Sequence, residues 1–491
     1  MLRLLNLAAS ALVMTALSSV AITIAEASAG AQAAVPSPAG LSLPSVQSQA
    51  IQAVLSISCP SEGDCTAGGA FRDRAGHQQA FVVSETKGAW GKAIEVPGSR
   101  RLNAGGAAFV GSVSCALPGN CAAAGSYTDG SKNVQAFVVS ETKGAWGKAI
   151  EVPGSGRLNV AGDASVESVS CASPGNCWAG GFYSLPLSPV AGSAQPFVVS
   201  ERNGTWGKAI KVLGLGNVVE AGVASVSCSS AGNCGAGGGV EDASFTSKPF
   251  VVSQANGHWQ MAIELHGTVP LNGGVIAGIS QVTCPSAGNC SAAGTYTDHG
   301  GNTQAFVATE VSGHWQRAIE VPGTAALNVG PLAQANSVSC VSPGNCGAGG
   351  FYSSSGVHLQ AFVVSQDNGR WQRAIEVPGT AALNAGGNAQ ANSVSCGSAG
   401  NCSAGGFYTD RRNRRQAFVV REIGGHWLKA IEVPGTAALN AGGNARVTWV
   451  SCASARNCTA GGSYQNRSGH QQAFVVSQVN GRWRRARPLV F

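Results

Sequence analysis

The chain has 491 residues, of which 11% are charged and 44% hydrophobic, with 68 glycines and a formal net charge of +7. That balance supplies ample apolar material for a large core and excludes disorder for most of the chain. Length alone suggests about three domains, but that estimate lapses when the sequence is repetitive.

At the N-terminus, Arg3 contributes one positive charge, Leu4 to Ala25 is mostly apolar, and Ala27, Ser28 and Ala29 place small residues before Gly30. This is the pattern of a secretory signal peptide over residues 1–29. The run is also long enough to span a bilayer, so a retained anchor is the other reading. Residues 30–50 hold Pro36, Pro38 and Pro44 among Ala and Ser and read as a linker. No later segment has transmembrane length, so no membrane span is expected once the leader is removed.

From residue 51 to 491 the chain is periodic. Sixteen cysteines fall in eight C-x5-C pairs: Cys59/Cys65, Cys115/Cys121, Cys171/Cys177, Cys228/Cys234, Cys284/Cys290, Cys340/Cys346, Cys396/Cys402 and Cys452/Cys458. The period is 56 residues, with one step of 57. An even, evenly spaced set behind a leader predicts disulfides and an extracellular or cell-wall location. In Cys171 to Cys177 the intervening Pro174, Gly175 and Asn176 favour a tight turn that brings the two thiols together. Zinc ligation is the rival, but the spacing is not that of a usual zinc site and no histidine accompanies each pair. No metal and no cofactor is expected.

Each repeat contains four strand candidates. In the seventh they are A (Asn392 to Cys396), B (Cys402 to Tyr408), C (Gln416 to Val420) and D (Trp427 to Val433). Strand C repeats Ala-Phe-Val-Val at Ala80–Val83, Ala136–Val139, Ala361–Val364, Ala417–Val420 and Ala473–Val476. It does not alternate apolar with polar residues, so both faces should be buried. A flat sandwich would leave one face wet, whereas a propeller packs each blade between two neighbours. The predicted fold is therefore all-β: an eight-bladed β-propeller of four antiparallel strands per repeat, with one disulfide per blade. Whole repeats in register leave no strand obviously shared between first and last blades. Closure is expected by packing alone, or by a strand drawn from Leu41 to Ala50. One tryptophan per repeat (Trp90, Trp146, Trp206, Trp259, Trp315, Trp371, Trp427, Trp483) reads as an inter-blade packing residue or, in the sharper alternative, a ligand platform.

The C–D turn, as in Ser365 to Trp371 with Asp367, resembles the Asp-box turn of sialidase-like propellers. Asp occurs there in this copy only, and one residue is missing before the Trp. The whole repeat resembles those of secreted multi-repeat proteins of high-GC bacteria. Together these resemblances imply the fold and export but carry no arginine triad, nucleophilic tyrosine or other catalytic residue onto this chain.

The motif search points the same way. No G-x-S-x-G elbow, P-loop, HExxH or EF-hand loop is present. His258, His314 and His426 all precede the repeat Trp, so the fold spreads them around the ring. Asp129, Asp298 and Asp410 follow Tyr-Thr in B–C turns, where a lone Asp usually bonds its own backbone; calcium would need several oxygen ligands together.

What differs among repeats is the B–C turn. Repeat three adds four residues there and then loses three before Cys228. Alternation of strands puts B–C turns and D–A connections on one face of the ring, with the disulfides on the opposite one. Charge is uneven too: Cys396 to Phe491 holds 13 Lys and Arg against 3 Asp and Glu, leaving a net −3 on the rest. Arg411, Arg412, Arg414 and Arg415 crowd the seventh B–C turn. They form the candidate binding residues, with an anionic extracellular polymer or glycan as the partner. The leading expectation is a monomeric extracellular binding or scaffold protein that does not engage nucleic acid. A glycan-active enzyme of sialidase-like or lyase type and a purely structural envelope protein are the alternatives.

Overall fold

The computed structural model describes residues 52–186, 193–216, 218–243, 246–267, 277–355 and 358–491. The expected leader, the linker and any strand over Leu41 to Ala50 lie outside these residues, as does part of the extended third B–C turn.

Eight antiparallel sheets, each drawn from one repeat, succeed one another around a ring. In blade 7 strand A is Gln390–Ser398, B is Asn401–Thr409 and C is Arg415–Ile423. Strand D, expected as one run, is two short pieces, His426–Trp427 and Ile431–Glu432. The break has a cause: between the pieces the Ala430 N–H leaves its own sheet and donates to Pro378 O of blade 6 at 2.7 Å. The same bond recurs at Ala149, Ala209, Ala262, Ala318, Ala374 and Ala486. An outer edge strand would otherwise leave such groups unpaired.

Strand C does what its composition demands. Phe81, Phe137, Phe197, Phe250, Phe306, Phe362, Phe418 and Phe474 are all fully buried, each between neighbouring sheets. The tryptophans act as inter-blade packing residues. Trp206 Nε1 donates to Ser140 Oγ of blade 2 at 2.9 Å, and that hydroxyl also donates to the buried Glu201. Ser253 with Trp315 and Glu310, and Ser365 with Trp427 and Glu422, repeat the arrangement.

The sixteen cysteines form eight disulfides within their own A–B hairpins, with Cα separations of 3.9–4.1 Å. The pairing is the one expected, and the hairpins that carry it meet the C–D turns at the end away from the B–C turns, as the Gly88 N–H to Gly63 O bond shows. What the sequence did not give is how deeply the sulfurs are buried. The strand B cysteine of every pair is buried: Cys65, Cys121, Cys177, Cys234, Cys290, Cys346, Cys402 and Cys458. On strand A, Cys284 and Cys396 are buried as well, while Cys59, Cys115, Cys171, Cys228, Cys340 and Cys452 are half-buried. The reason is that strand B is an inner strand of its sheet, covered on both faces by the adjoining blades. Its sulfur therefore meets the preceding blade. Cys65 Sγ lies 3.4 Å from Thr459 Oγ1, Cys121 Sγ 3.5 Å from Thr66 Oγ1, Cys346 Sγ 3.6 Å from Ser291 Oγ and Cys458 Sγ 3.4 Å from Ser403 Oγ. A bonded sulfur carries no proton, so the hydroxyl is the donor in each contact. Cys234 packs instead in the apolar cluster that contains Trp178 of blade 3. These disulfides are part of the scaffold between blades.

Among the described residues the first and last blades share no strand and meet by packing and hydrogen bonds. Trp90 Nε1 of blade 1 reaches Ser477 Oγ of blade 8, and the Ala93 N–H donates to Val490 O. Phe491 stacks on Phe71 at 4.9 Å and meets Phe81 edge-on at the same distance. The last residues therefore cover blade 1 as each D–A connection covers the next blade.

Candidate ligand site: the central channel and the variable face

Strand A is the innermost strand, and its free edge would expose unpaired backbone groups along the channel. The repeated Ser-Val-Ser-Cys segment answers this. Ser112 Oγ accepts the Val169 N–H and Ser114 Oγ accepts the Cys171 N–H of the next blade, at 3.0 and 2.9 Å. Equivalent bonds run on from blade to blade and back to blade 1, where Ser451 Oγ accepts the Cys59 N–H at 3.0 Å. In blade 5 Gln281 and Thr283 take the two serine places and still accept from Val338 and Cys340. In blade 8 the first serine is replaced by Trp449, which offers no hydroxyl to Ile57.

One residue before this segment every strand A slips its register against strand B. A bulge of this kind leaves its extra residue out of the ladder and re-aims it. The residues so released are Leu55, Gly111, Glu167, Ala224, Ser280, Asn336, Asn392 and Thr448, and all eight line the channel, a cavity of about 370 Å³. Strand B accommodates the bulge with a glycine in every blade. A Cβ on Gly406 would lie 1.9 Å from Gln390 O, and the other seven positions are as tight. That recurrent glycine within a strand was the legible signal for the bulge; period and hydrophobic pattern do not reveal it.

The lining is not symmetric. Blades 1, 2 and 4 present Leu55, Phe109, Gly111 and Ala224, whereas blades 6 to 8 present Gln334, Asn336, Asn392, Arg446, Thr448 and Trp449. Glu167 is the single carboxylate among the described lining residues. Asn336 Nδ2 donates to Ala391 O at 2.9 Å and Asn392 Nδ2 to Val447 O at 2.7 Å, each bracing its amide against the next blade. The Oδ1 atoms of both amides are buried and accept no hydrogen bond within the protein.

The B–C turns and D–A connections do share one face: Gln78 N bonds Gly106 O, and Asn103 Nδ2 bonds Gln78 O. The Asp residues there serve their own turns. Asp129 Oδ1 accepts from Ser131 N and Asn133 N at 2.8 and 3.0 Å. Around this end of the channel the charge is polarised. On blades 3 and 4, burial first and then the charges of Glu241 and Asp163 push Glu220 up to about 7. Half a ring away, burial and the neighbouring Arg415 charge lower the Arg446 guanidinium.

The four arginines singled out from sequence separate. Arg411 and Arg412 stand exposed at the turn tip. Arg414 is paired with Asp410 at 3.0 Å. Burial alone would raise Asp410, but bonds from Gln416, the Arg414 and Arg412 N–H groups and the Arg414 side chain hold it at about 2. Arg415 is half-buried, with its guanidinium 5.0 Å above the Phe407 ring. Arg446, which sequence reasoning passed over, joins it from blade 8. Among the described residues no group of three or more His, Cys, Asp or Glu is placed to hold a metal ion, and no helix is long and apolar enough to cross a membrane.

No family model and no curated protein matches the chain. Solved structures similar to it include the BP39L lectin from Burkholderia pseudomallei, at 14% identity over 77% of this chain and 98% of that one, with a TM-score of 0.42. A protein of unknown function from Dyadobacter fermentans has 9% identity over 87% and 94%, with a TM-score of 0.36. The N11 neuraminidase-like protein of a flat-faced bat influenza virus has 10% identity over 88% and 89%, with a TM-score of 0.35. Likeness of this size assigns no activity to the chain.

Proposed function

We propose that the chain is an exported, monomeric binding protein that holds an anionic extracellular polymer or glycan on its variable face. The leader would be residues 1–29, the linker 30–50 and the binding ring 51–491. The observation that carries this reading is the cationic sector at blades 7 and 8: Arg411 and Arg412 reach solvent from a turn braced by Asp410, while Arg446 of the next blade lines the channel. Guanidinium groups suit bidentate contact with phosphate or carboxylate. The complete disulfide set supports export.

The test is retention of the mature chain on immobilised poly(glycerol phosphate) and polygalacturonate at low and moderate salt. Arg411→Ser with Arg412→Ser should shift elution to lower salt, since exposed charges act only over about 8 Å at physiological ionic strength. Unchanged retention in the folded double variant overturns the reading.

A further inference from the structure

We propose that the cleft between blades 8 and 1 binds the phosphate groups of a phosphodiester polymer through Lys87, Arg484, Arg485 and Arg487. The cleft opens among the A–B and C–D turns, where Gly63 and Gly88 line it, and so lies at the end of the ring away from the B–C turns. This goes beyond the reading given above: it shares no residue with the exposed turn of blade 7 and stands even if that turn binds nothing.

The argument begins with the repeats. The second piece of strand D is Ile–Glu in six blades, as at Ile94–Glu95 and Ile431–Glu432, and Ile210–Lys211 in blade 3. In blade 8 it is Arg487–Pro488. Three residues earlier, where the other blades carry Gly, Gln or Leu, blade 8 has Arg484. Arg485 keeps the place of Lys92 and Arg317. The scaffold does not ask for the change. Pro488 and Arg487 still pair with Phe474 and Val475 of strand C, in the register that Glu432 and Ile431 keep with Phe418 and Val419. Arg484, Arg485 and Arg487 are all exposed, as is Lys87. None of the four joins a salt bridge among the described residues. Like charges set so close in sequence repel one another, and an arriving anion relieves that repulsion.

These cations line one cleft of about 590 Å³. Both carboxylates on its lining are already engaged. Glu62 accepts from Ser454 Oγ and Asn457 Nδ2 at 2.7 and 2.8 Å, and Glu85 accepts from Ser477 Oγ at 3.0 Å. Burial also raises the Glu85 carboxyl above its ordinary value, which weakens it as a competing anion. Equivalent clefts elsewhere in the ring are not cationic. Between blades 1 and 2, Lys92 and Lys143 share the lining with Asp64, Glu85 and Glu141; between blades 5 and 6, Arg317 is matched by Glu310. A cleft lined by one sign of charge focuses its field on the solvent within it. The number of cations selects the anion. A carboxylate presents two oxygens in one plane and is matched by a single guanidinium fork, whereas the oxygens of a phosphate point in several directions and can be held by guanidinium and ammonium groups from different sides.

The experiment is isothermal titration of the intact disulfide-bonded chain with soluble poly(glycerol phosphate), and with polygalacturonate as the carboxylate match. It is run on the Arg411→Ser with Arg412→Ser variant, in which the turn is disabled and the cleft is intact. That variant should still bind the phosphate polymer saturably. Adding Arg484→Gln with Arg487→Ile installs the residues that blade 5 carries at Gln316 and Ile319, so the thermal transition should stay near that of the parent. Affinity for poly(glycerol phosphate) should then fall about tenfold or more, and affinity for polygalacturonate by less than about threefold. Arg370→Gln with Arg373→Gln, added instead, removes two charges from the same edge of blade 6 and should change phosphate-polymer affinity by less than about twofold. A failed turn reading shows as unchanged retention when Arg411 and Arg412 alone are replaced, and it leaves the cleft result standing. Absence of saturable phosphate-polymer binding in the turn variant, unchanged affinity in the folded cleft variant, an equal loss for polygalacturonate, or an equal loss from the blade 6 substitutions overturns the proposal.

Discussion

Strand C and the strand A bulge lie in the same blades and obey opposite rules. At the phenylalanine of strand C all eight blades carry the same residue, fully buried between two sheets. At the bulge the blades carry Leu, Gly, Glu, Ala, Ser, Asn, Asn and Thr, all lining the channel. The difference is one of packing freedom. A close-packed inter-blade layer admits little change of volume, whereas a residue released into a lumen meets no facing side chain and can vary without disturbing the ring. Constancy among the repeats marks the scaffold, and divergence at a geometrically constrained position marks the place where one blade can be made unlike another.

The largest effect expected from this contrast is at strand C. Phe418→Ala should destabilise the ring by about 3–5 kcal/mol, as deletion of a buried phenylalanine does, read as a lowered denaturation midpoint. A loss below about 1 kcal/mol would mean that the layer repacks freely, and the contrast would fail. Next comes the glycine that houses the bulge. Gly406→Ala places a methyl 1.9 Å from Gln390 O and should cost roughly 1–3 kcal/mol or more by overpacking. The check is the denaturation midpoint of the variant; a loss below about 0.5 kcal/mol would show that the bulge can shift to admit the methyl.

The smallest effect is electrostatic. Glu220 has its folded-state value raised from 4.5 to about 7 by burial and by the Glu241 and Asp163 charges. The folded chain therefore keeps this proton through a range in which the unfolded chain has released it. Its stabilising contribution is complete below about 4.5 and is lost as pH rises through about 7. Glu220→Gln removes that dependence, so the melting temperature of the variant relative to the parent should climb between pH 4.5 and pH 8. A pH-independent difference would remove Glu220 from the polarised rim.

Much of the scaffold was legible in advance because its determinants are local and repeated eight times. The C-x5-C spacing with a Pro-Gly-Asn turn gives the hairpin disulfide, and the unbroken Ala-Phe-Val-Val run gives a strand buried on both faces. Where those disulfides sit was less legible. The burial of Cys65, Cys121, Cys234, Cys346 and Cys458 depends on the neighbouring blade, which the local turn does not specify. Strand D was drawn too long, since its break depends on a hydrogen bond to the preceding blade, as from Ala430 to Pro378. The arginine cluster was visible as composition, but its four members differ in fate. Arg414 is taken up by Asp410 and Arg415 settles over Phe407, while Arg446, 31 residues or more from them in sequence, arrives from the next blade.

By itself the sequence determined the period, strands A to C of each blade, the disulfide pairing and the face on which the repeats differ, because each is set by patterns within a few residues of one another. Only the tertiary structure decided which side chains meet at the ring centre. Eight strands contribute to that lumen from positions about 56 residues apart, and the bulge, not the alternation of the strand, selects the residue each one turns inward. Asn336, Asn392 and Thr448 look ordinary in the chain; they line one cavity because the ring closes and the slipped register faces them inward.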